Sequence, residues 1–194
     1  MSNLDKLRER HDLEKFAFSN LSDLEKAKHQ VRMFSIYSKN PWRFQEDCVF
    51  TLNQVAQDNA VQPYPSNLEY LKLLTSLWLK ELLIACPKSR RMFCSWNFIS
   101  LYLGDTIFRQ GRFNAFVSKK EDDAGDLVGR AEFIYRNIPE WRIPKALLPK
   151  LKNGRMSKQP PIMEFEEINS KIQGMPQGAD QLRQYTFSGI LADE

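Results

Sequence analysis

The stretch Leu82–Ser95, "LLIACPKSRRMFCS", constrains the fold most. It opens on a short apolar run, Leu82–Cys86, of the kind expected for a strand covered on both faces. A basic turn without glycine follows, and residues 95–109 are patterned as a helix. Further on, "FNAFVS" (Phe113–Ser118) reads as a second strand. "SKKE" (Ser118–Glu121) has the form of a capping box. It introduces a helix with Ala124, Leu127, Val128, Ala131, Ile134 and Ile138 on one face. "IMEFEEINSKIQGM" (Ile162–Met175) reads as a β-hairpin turning near Asn169-Ser170, and "SGILADE" (Ser188–Glu194) as an apolar strand ending in two acids. Strands alternating with helices predict an α/β domain with a largely parallel sheet.

The region before this stretch reads as helical. Residues 4–17 form a charged helix, and "SDLE" (Ser22–Glu25) is a capping box for a helix running to about Tyr37. "KNPW" (Lys39–Trp42) breaks it. Residues 43–56 are helical or mixed, "QPYP" (Gln62–Pro65) is a second break, and "SNLE" (Ser66–Glu69) a further capping box before a leucine-rich helix. The expected division is a helical N-terminal region over 1–75 and an α/β core over 76–194. Residues 141–163 form a long irregular segment carrying Arg142, Lys145, Lys150, Lys152, Arg155 and Lys158.

Composition narrows the chemistry. The chain has 194 residues, 42% hydrophobic and 27% charged, which suits a globular protein with a substantial core. A net charge of +4 permits contact with nucleic acid without arguing for it. No apolar run reaches the roughly 20 residues of a membrane span, and the charged N-terminus is unlike a signal peptide. The three cysteines, Cys48, Cys86 and Cys94, lack framework or CxxC spacing, which suggests free thiols in a reducing compartment. Two histidines, His11 and His29, both in charged helical segments, argue against a His-ligated metal centre or a Ser-His-Asp triad.

The window Lys88–Ser95 is compared with a phosphate-binding loop. Such a loop needs backbone N–H groups at a helix N-terminus, a cation for phosphate oxygens and a hydroxyl for Mg²⁺. Ser95 supplies the hydroxyl. Cys94 stands where the usual lysine would be, while Lys88 opens the window and Arg90 and Arg91 add charge. Ser89, Met92 and Phe93 complete the loop, and Phe93 occupies a position that favours glycine. The alternative is a basic turn between two elements. "ILADE" supplies a second half: an apolar strand whose Asp193 would hold Mg²⁺ and whose Glu194 would orient and deprotonate a water. The alternative there is an acidic tail.

These stretches, with "PYPSNLEYLKLLTSLW", "SKKEDDAGDLVGRAEFIYRNIPEW" and "SKIQGMPQGADQLRQYTFSGILADE", resemble in order and spacing the N-terminal ATPase domain of the terminase large subunit of tailed phages. The resemblance runs from about Pro41 to Glu194. It implies a P-loop NTPase core of the additional-strand type, with the sheet incomplete at the C-terminus, and ATP and Mg²⁺ as cofactors. Lys88 maps to the displaced lysine of a deviant Walker A motif, Arg90 or Arg91 to a cis arginine finger, Ser95 to the Mg²⁺-proximal hydroxyl, and Asp193 and Glu194 to Walker B. Arg183 lies where the family often has an arginine. Phe44, Gln45 and Tyr70 are adenine-side candidates, with core and turn packing as the alternative for each. Phe93 departs from the family's glycine. The implied setting is the cytoplasm of an infected or lysogenic bacterium. There a homo-oligomeric ring translocates viral DNA with a portal and a small terminase subunit. The implied DNA contact is weak and directed at the backbone, and there is no membrane partner. The nuclease domain is missing from the sequence, so a fragment or prophage remnant is expected. A non-catalytic terminase-like fragment and a helicase-like P-loop ATPase are the other readings. Replacing Phe93 by Gly and Cys94 by Lys is expected to restore a standard loop.

Overall fold

The computed structural model describes residues 3–52, 60–87, 89, 92–178 and 182–193. The chain divides into two compact units: Met1–Asn97 with Asn137–Leu147, and Phe98–Arg136 with Leu148–Glu194. Among the described residues no helix is long and apolar enough to cross a membrane.

The first unit begins with α1 (Asn3–Ser19) and α2 (Asp23–Lys39). The Ser22–Glu25 capping box forms: the Ser22 side chain accepts from the Glu25 N–H, and the Glu25 carboxylate accepts from the Ser22 N–H at 2.9 Å. The break at Lys39–Trp42 is a joint between helices. Asn40 ends α2, and its side chain accepts from the Arg43 N–H at 3.0 Å to cap α3 (Pro41–Cys48). Pro41 sits where a missing N–H is harmless. β1 (Phe50–Leu52) and β2 (Val61–Pro63) pair antiparallel. α4 (Glu69–Lys80) follows, but the capping box expected at Ser66–Glu69 is absent. Leu68 is the cap residue, and no side-chain bond is made there. Tyr37, Phe44, Cys48, Tyr64, Leu71 and Ile143 form the core of this unit.

The strand expected at Leu82–Cys86 does not form. Leu82 is 107% and Leu83 88% exposed, and the segment is no part of any sheet among the described residues. An extended apolar run becomes a strand only when a neighbour satisfies its N–H and C=O groups. The strand pairing of this segment that a P-loop core would need is therefore absent among the described residues.

α5 (Cys94–Phe108) contributes its first turn to the first unit and the remainder to the second. The second unit continues with β3 (Phe113–Ser118), α6 (Glu121–Arg136), β4 (Ser157–Lys158), β5 (Pro161–Phe165), β6 (Ser170–Pro176) and β7 (Gly189–Ala192). The sheet order is β4-β5-β6-β3-β7. β3 runs parallel to β6 and β7, while β4–β5 and β5–β6 are antiparallel. The fold is thus α/β with a mixed sheet, in place of the largely parallel one expected. The cause is local. β5 and β6 are joined by one 3-10 turn, Glu166–Ile168, and by Asn169 at φ 50°, a link too short for a parallel crossover. α6, in contrast, lies within the long connection that returns the chain parallel to β3. Its buried face is Ala124, Leu127, Val128, Ala131 and Ile134. Ser118 is the last residue of β3 and not the cap of α6, which starts at Glu121.

Candidate functional site

The described part of the loop is held at its C-terminal end. Tyr70 Oη donates to the Met92 carbonyl at 2.9 Å, and Cys94 Sγ donates to the same carbonyl at 3.5 Å. Phe93 adopts φ 54°, the left-handed region that favours glycine. Its carbonyl then accepts from the Asn97 N–H at 2.9 Å, closing the first turn of α5. The backbone at this position therefore has the conformation of a glycine while carrying a phenylalanine. Cys94 is only 3% exposed, whereas Ser95 is half-buried and Ser89 and Met92 are exposed. Lys88, Arg90, Arg91 and Glu194 lie outside the described residues.

Behind the loop, a buried amide network fixes the start of α5. Gln45 Nε2 donates to Asn97 Oδ1 at 2.9 Å and to the Asn97 carbonyl at 3.1 Å. Thr75 Oγ1 donates to Gln45 Oε1 at 2.8 Å and lies 3.2 Å from Asn97 Oδ1, which also accepts from Tyr64 Oη. Burial pushes the Tyr64 phenol up, so it remains a donor. The network joins α3 and α4 to the first turn of α5. It also decides the adenine-side candidates. Phe44 and Gln45 are fully buried and Gln45's amide is committed on both ends, so these two are packed as core residues. Tyr70 reaches the loop itself. Thr75, Asn97 and Tyr64 were not singled out by the sequence; the available signal was a polar residue amid apolar ones on the buried face of a helix, as at Thr75 and Asn97.

In the second unit, Asp193 directly follows β7, and its N–H donates to the Val117 carbonyl at 3.0 Å. It is half-buried at the carboxyl ends of the parallel strands β3 and β7, where open α/β sheets bind ligands. α5 covers the β3 face that carries Asn114 and Phe116. Tyr102 packs edge-on against Phe116 and donates to the Ile190 carbonyl at 3.0 Å, linking α5 to β7. Arg183 is exposed.

The basic run 142–158 is not one solvated surface. Arg142 is buried and paired with Glu14 and Asp47 in the first unit. Lys145 pairs with Glu140, and Lys152 with Glu164 and Glu166, which push its ammonium up to about 12. Lys150, Arg155 and Lys158 remain outside any ion pair among the described residues.

Comparison with protein-family models finds no match, and comparison with curated proteins finds none.

Proposed function

We propose that the chain is the ATP-binding and ATP-hydrolysing motor domain of a terminase large subunit, the kind that drives viral DNA into proheads. The observation that carries this reading is the left-handed backbone of Phe93 at the entry to α5, the conformation for which phosphate-binding loops use glycine. The burial of Cys94 adds to it. A lysine at the usual position would start from the core, so the cation has to come from elsewhere in the loop, and Lys88 is placed to supply it in sequence. The helix N-terminus at Cys94 favours an anion, which fits a nucleotide phosphate. The adenine side fits less well, because Phe44 and Gln45 are committed to packing.

In this reading Lys88 and the loop from Ser89 to Ser95 hold the phosphates, with Met92, Phe93 and Cys94 shaping the turn. Ser95, and Asp193 as the Walker B carboxylate, would be the residues to hold Mg²⁺, and Arg90 or Arg91 would stabilise charge that develops during transfer. Glu194 orients and deprotonates the attacking water. Bound Mg²⁺·ATP supplies the phosphoryl group and its charge neutralisation. Contact with double-stranded DNA is weak, follows the backbone and falls with salt; Lys150, Arg155 and Lys158 are the residues left for it. A second reading, a terminase-like domain that keeps the fold without turnover, is favoured by the missing strand at Leu82–Cys86. A helicase-like ATPase has no observation of its own.

Titration of the folded chain with Mg²⁺·ATP separates the two readings. For a working site, saturable binding weakens about ten- to a hundred-fold in Lys88→Ala and in Ser95→Ala, the loss of one charge-assisted contact. No binding by a folded sample, or binding by both variants as tight as the parent's, sinks the motor reading and leaves the non-catalytic one.

A further inference from the structure

α1 has no single apolar face: Leu4, Leu7 and Phe18 are half-buried, but its other large apolar side chains are not. Leu13 and Phe16 stand in solvent at 63% and 67% exposure. Arg8, His11, Asp12 and Lys15, spaced i, i+3, i+4 and i+7 and so on one helical face, line a cleft within the first unit. The facing walls are Phe50 of β1, Val61 and Pro63 of β2, and the segment Asn137–Trp141. The cleft measures about 660 Å³, within the range of small-molecule sites.

The charged residues at the cleft stay hydrated, Asp12 and Lys15 being exposed and Arg8 half-buried, so they are open to a ligand from solvent. Arg10 and Glu14, by contrast, both pair with buried groups: Arg10 with Asp47, and Glu14 with Arg142. Arg8, Asp12 and Lys15 have no such partner among the described residues. Glu140 is neutralised by Lys145 at 2.5 Å. Two cations therefore face the cleft against one carboxylate, a balance that calls for an anion. Apart from Asn137 and Glu140, the rest of the lining is apolar or aromatic. The His11 ring lies 5.6 Å from that of Phe50, and Trp141 carries Arg142 over its face at 4.1 Å. Burial and then Arg142 lower the His11 pKa, so its imidazole is neutral near pH 7 and can donate or accept.

We propose that this cleft binds a small anion carrying a flat heteroaromatic ring, of the class of a nucleoside monophosphate, at a site separate from the Lys88–Ser95 loop. The ring lies against the aromatic wall, and Arg8 and Lys15 take the anionic group.

The test is an amide-resolved NMR titration of the full chain with AMP in the absence of Mg²⁺, with adenosine and ribose 5-phosphate as partial probes. The expected result is saturable shifts at residues 8–15 and 137–141. Each partial probe should bind at least about tenfold more weakly, and Arg8→Gln with Lys15→Gln should lose about tenfold in AMP affinity, with an unchanged circular dichroism spectrum. Ser95→Ala should bind AMP in the cleft as the parent does. The proposal is overturned by an absence of saturable shifts in the cleft, by shifts confined to residues 92–97, or by ribose 5-phosphate binding as well as AMP. Undiminished binding by the folded double variant also overturns it. Shifts confined to 92–97 would leave the terminase reading intact, so the two ideas fail separately.

Discussion

Phe93 holds a backbone in which an L side chain crowds the next carbonyl, at a cost of roughly 1–2 kcal/mol. Glycine removes that cost and alanine keeps it. Phe93→Gly is therefore expected to be more stable than Phe93→Ala by about 1 kcal/mol in urea unfolding, the reverse of the usual order in a helix or strand. If the alanine variant is the more stable, the left-handed turn is not present in solution. Cys94 next to it gives the opposite lesson about the standard loop. Its thiol is buried and its bond to the Met92 carbonyl is long, so Cys94→Ala should cost about 1 kcal/mol. Cys94→Lys has to bring an ammonium out of the core and should cost about 3 kcal/mol or more, alone or with Phe93→Gly. The sequence favours that lysine for nucleotide affinity; the burial of Cys94 sets a stability cost against it. A lysine variant as stable as the alanine one would show that the side chain at 94 has a path to solvent.

At the level of elements, β7 depends on a glycine. A Cβ on Gly189 would lie 2.4 Å from the Tyr102 ring and 3.0 Å from Asn114 Oδ1. Tyr102 would have to swing away and release the Ile190 carbonyl. Gly189→Ala is expected to destabilise the second unit by about 1–3 kcal/mol, and Gly189→Ala in a Tyr102→Ala background should cost much less, since the clash is then gone. Equal costs in the two backgrounds would remove Tyr102 as the cause. β3, α6 and β7 were legible in the sequence because each is fixed by its own periodicity and by nearby residues. The Ser22–Glu25 box was legible for the same reason. Leu82–Cys86 was misread because an apolar run carries the pattern of a strand but not its hydrogen-bonding partner. The boxes at Ser66 and Ser118 failed because the motif does not fix where the helix starts. The amide network around the loop was invisible, since Gln45, Thr75 and Asn97 are 22 to 52 positions apart and meet only after folding. Of the site itself, the loop's place before α5 and Asp193's place after β7 could be read; the side-chain commitments of Phe44 and Gln45 could not.

On the scale of the molecule, the first unit is organised around buried charge as much as around its apolar core. Asp47 accepts from Arg10 at 2.7 Å, pairs with Arg43 at 2.7 Å and with Arg142 at 3.6 Å, and receives the Tyr37 hydroxyl at 3.2 Å. Glu14 and Glu46 balance the remaining positive charge, tying α1, α3 and the 137–147 segment together. Asp47→Ala leaves three guanidinium groups to share Glu14 and Glu46 and strands the buried Arg142 with one partner, which should cost about 3 kcal/mol in urea unfolding; a cost below about 1 kcal/mol would place the pairs in solvent. Burial raises the Asp47 carboxyl, so its protonation on the folded chain offsets part of the acid loss; the two histidines and Glu14 still predict a two-stage loss of stability in acid. Burial, then Arg142, lowers the pKa of His11 and of His29, so the unfolded chain takes up those protons first as pH falls through the ordinary histidine range near 6.5. That stability is complete above this range and is lost below it. Burial pushes Glu14 up, but Arg142 and Arg10 outweigh it and hold its carboxyl below the usual range. Its contribution is complete above the ordinary glutamate pKa of about 4.3 and disappears as pH falls through the lowered value. Melting temperatures measured from pH 8 to 3 should therefore fall in two steps. In His11→Gln with His29→Gln the step near pH 6 should vanish while the acid step remains. An unchanged first step in that double variant would show that neither histidine gives up its proton on folding.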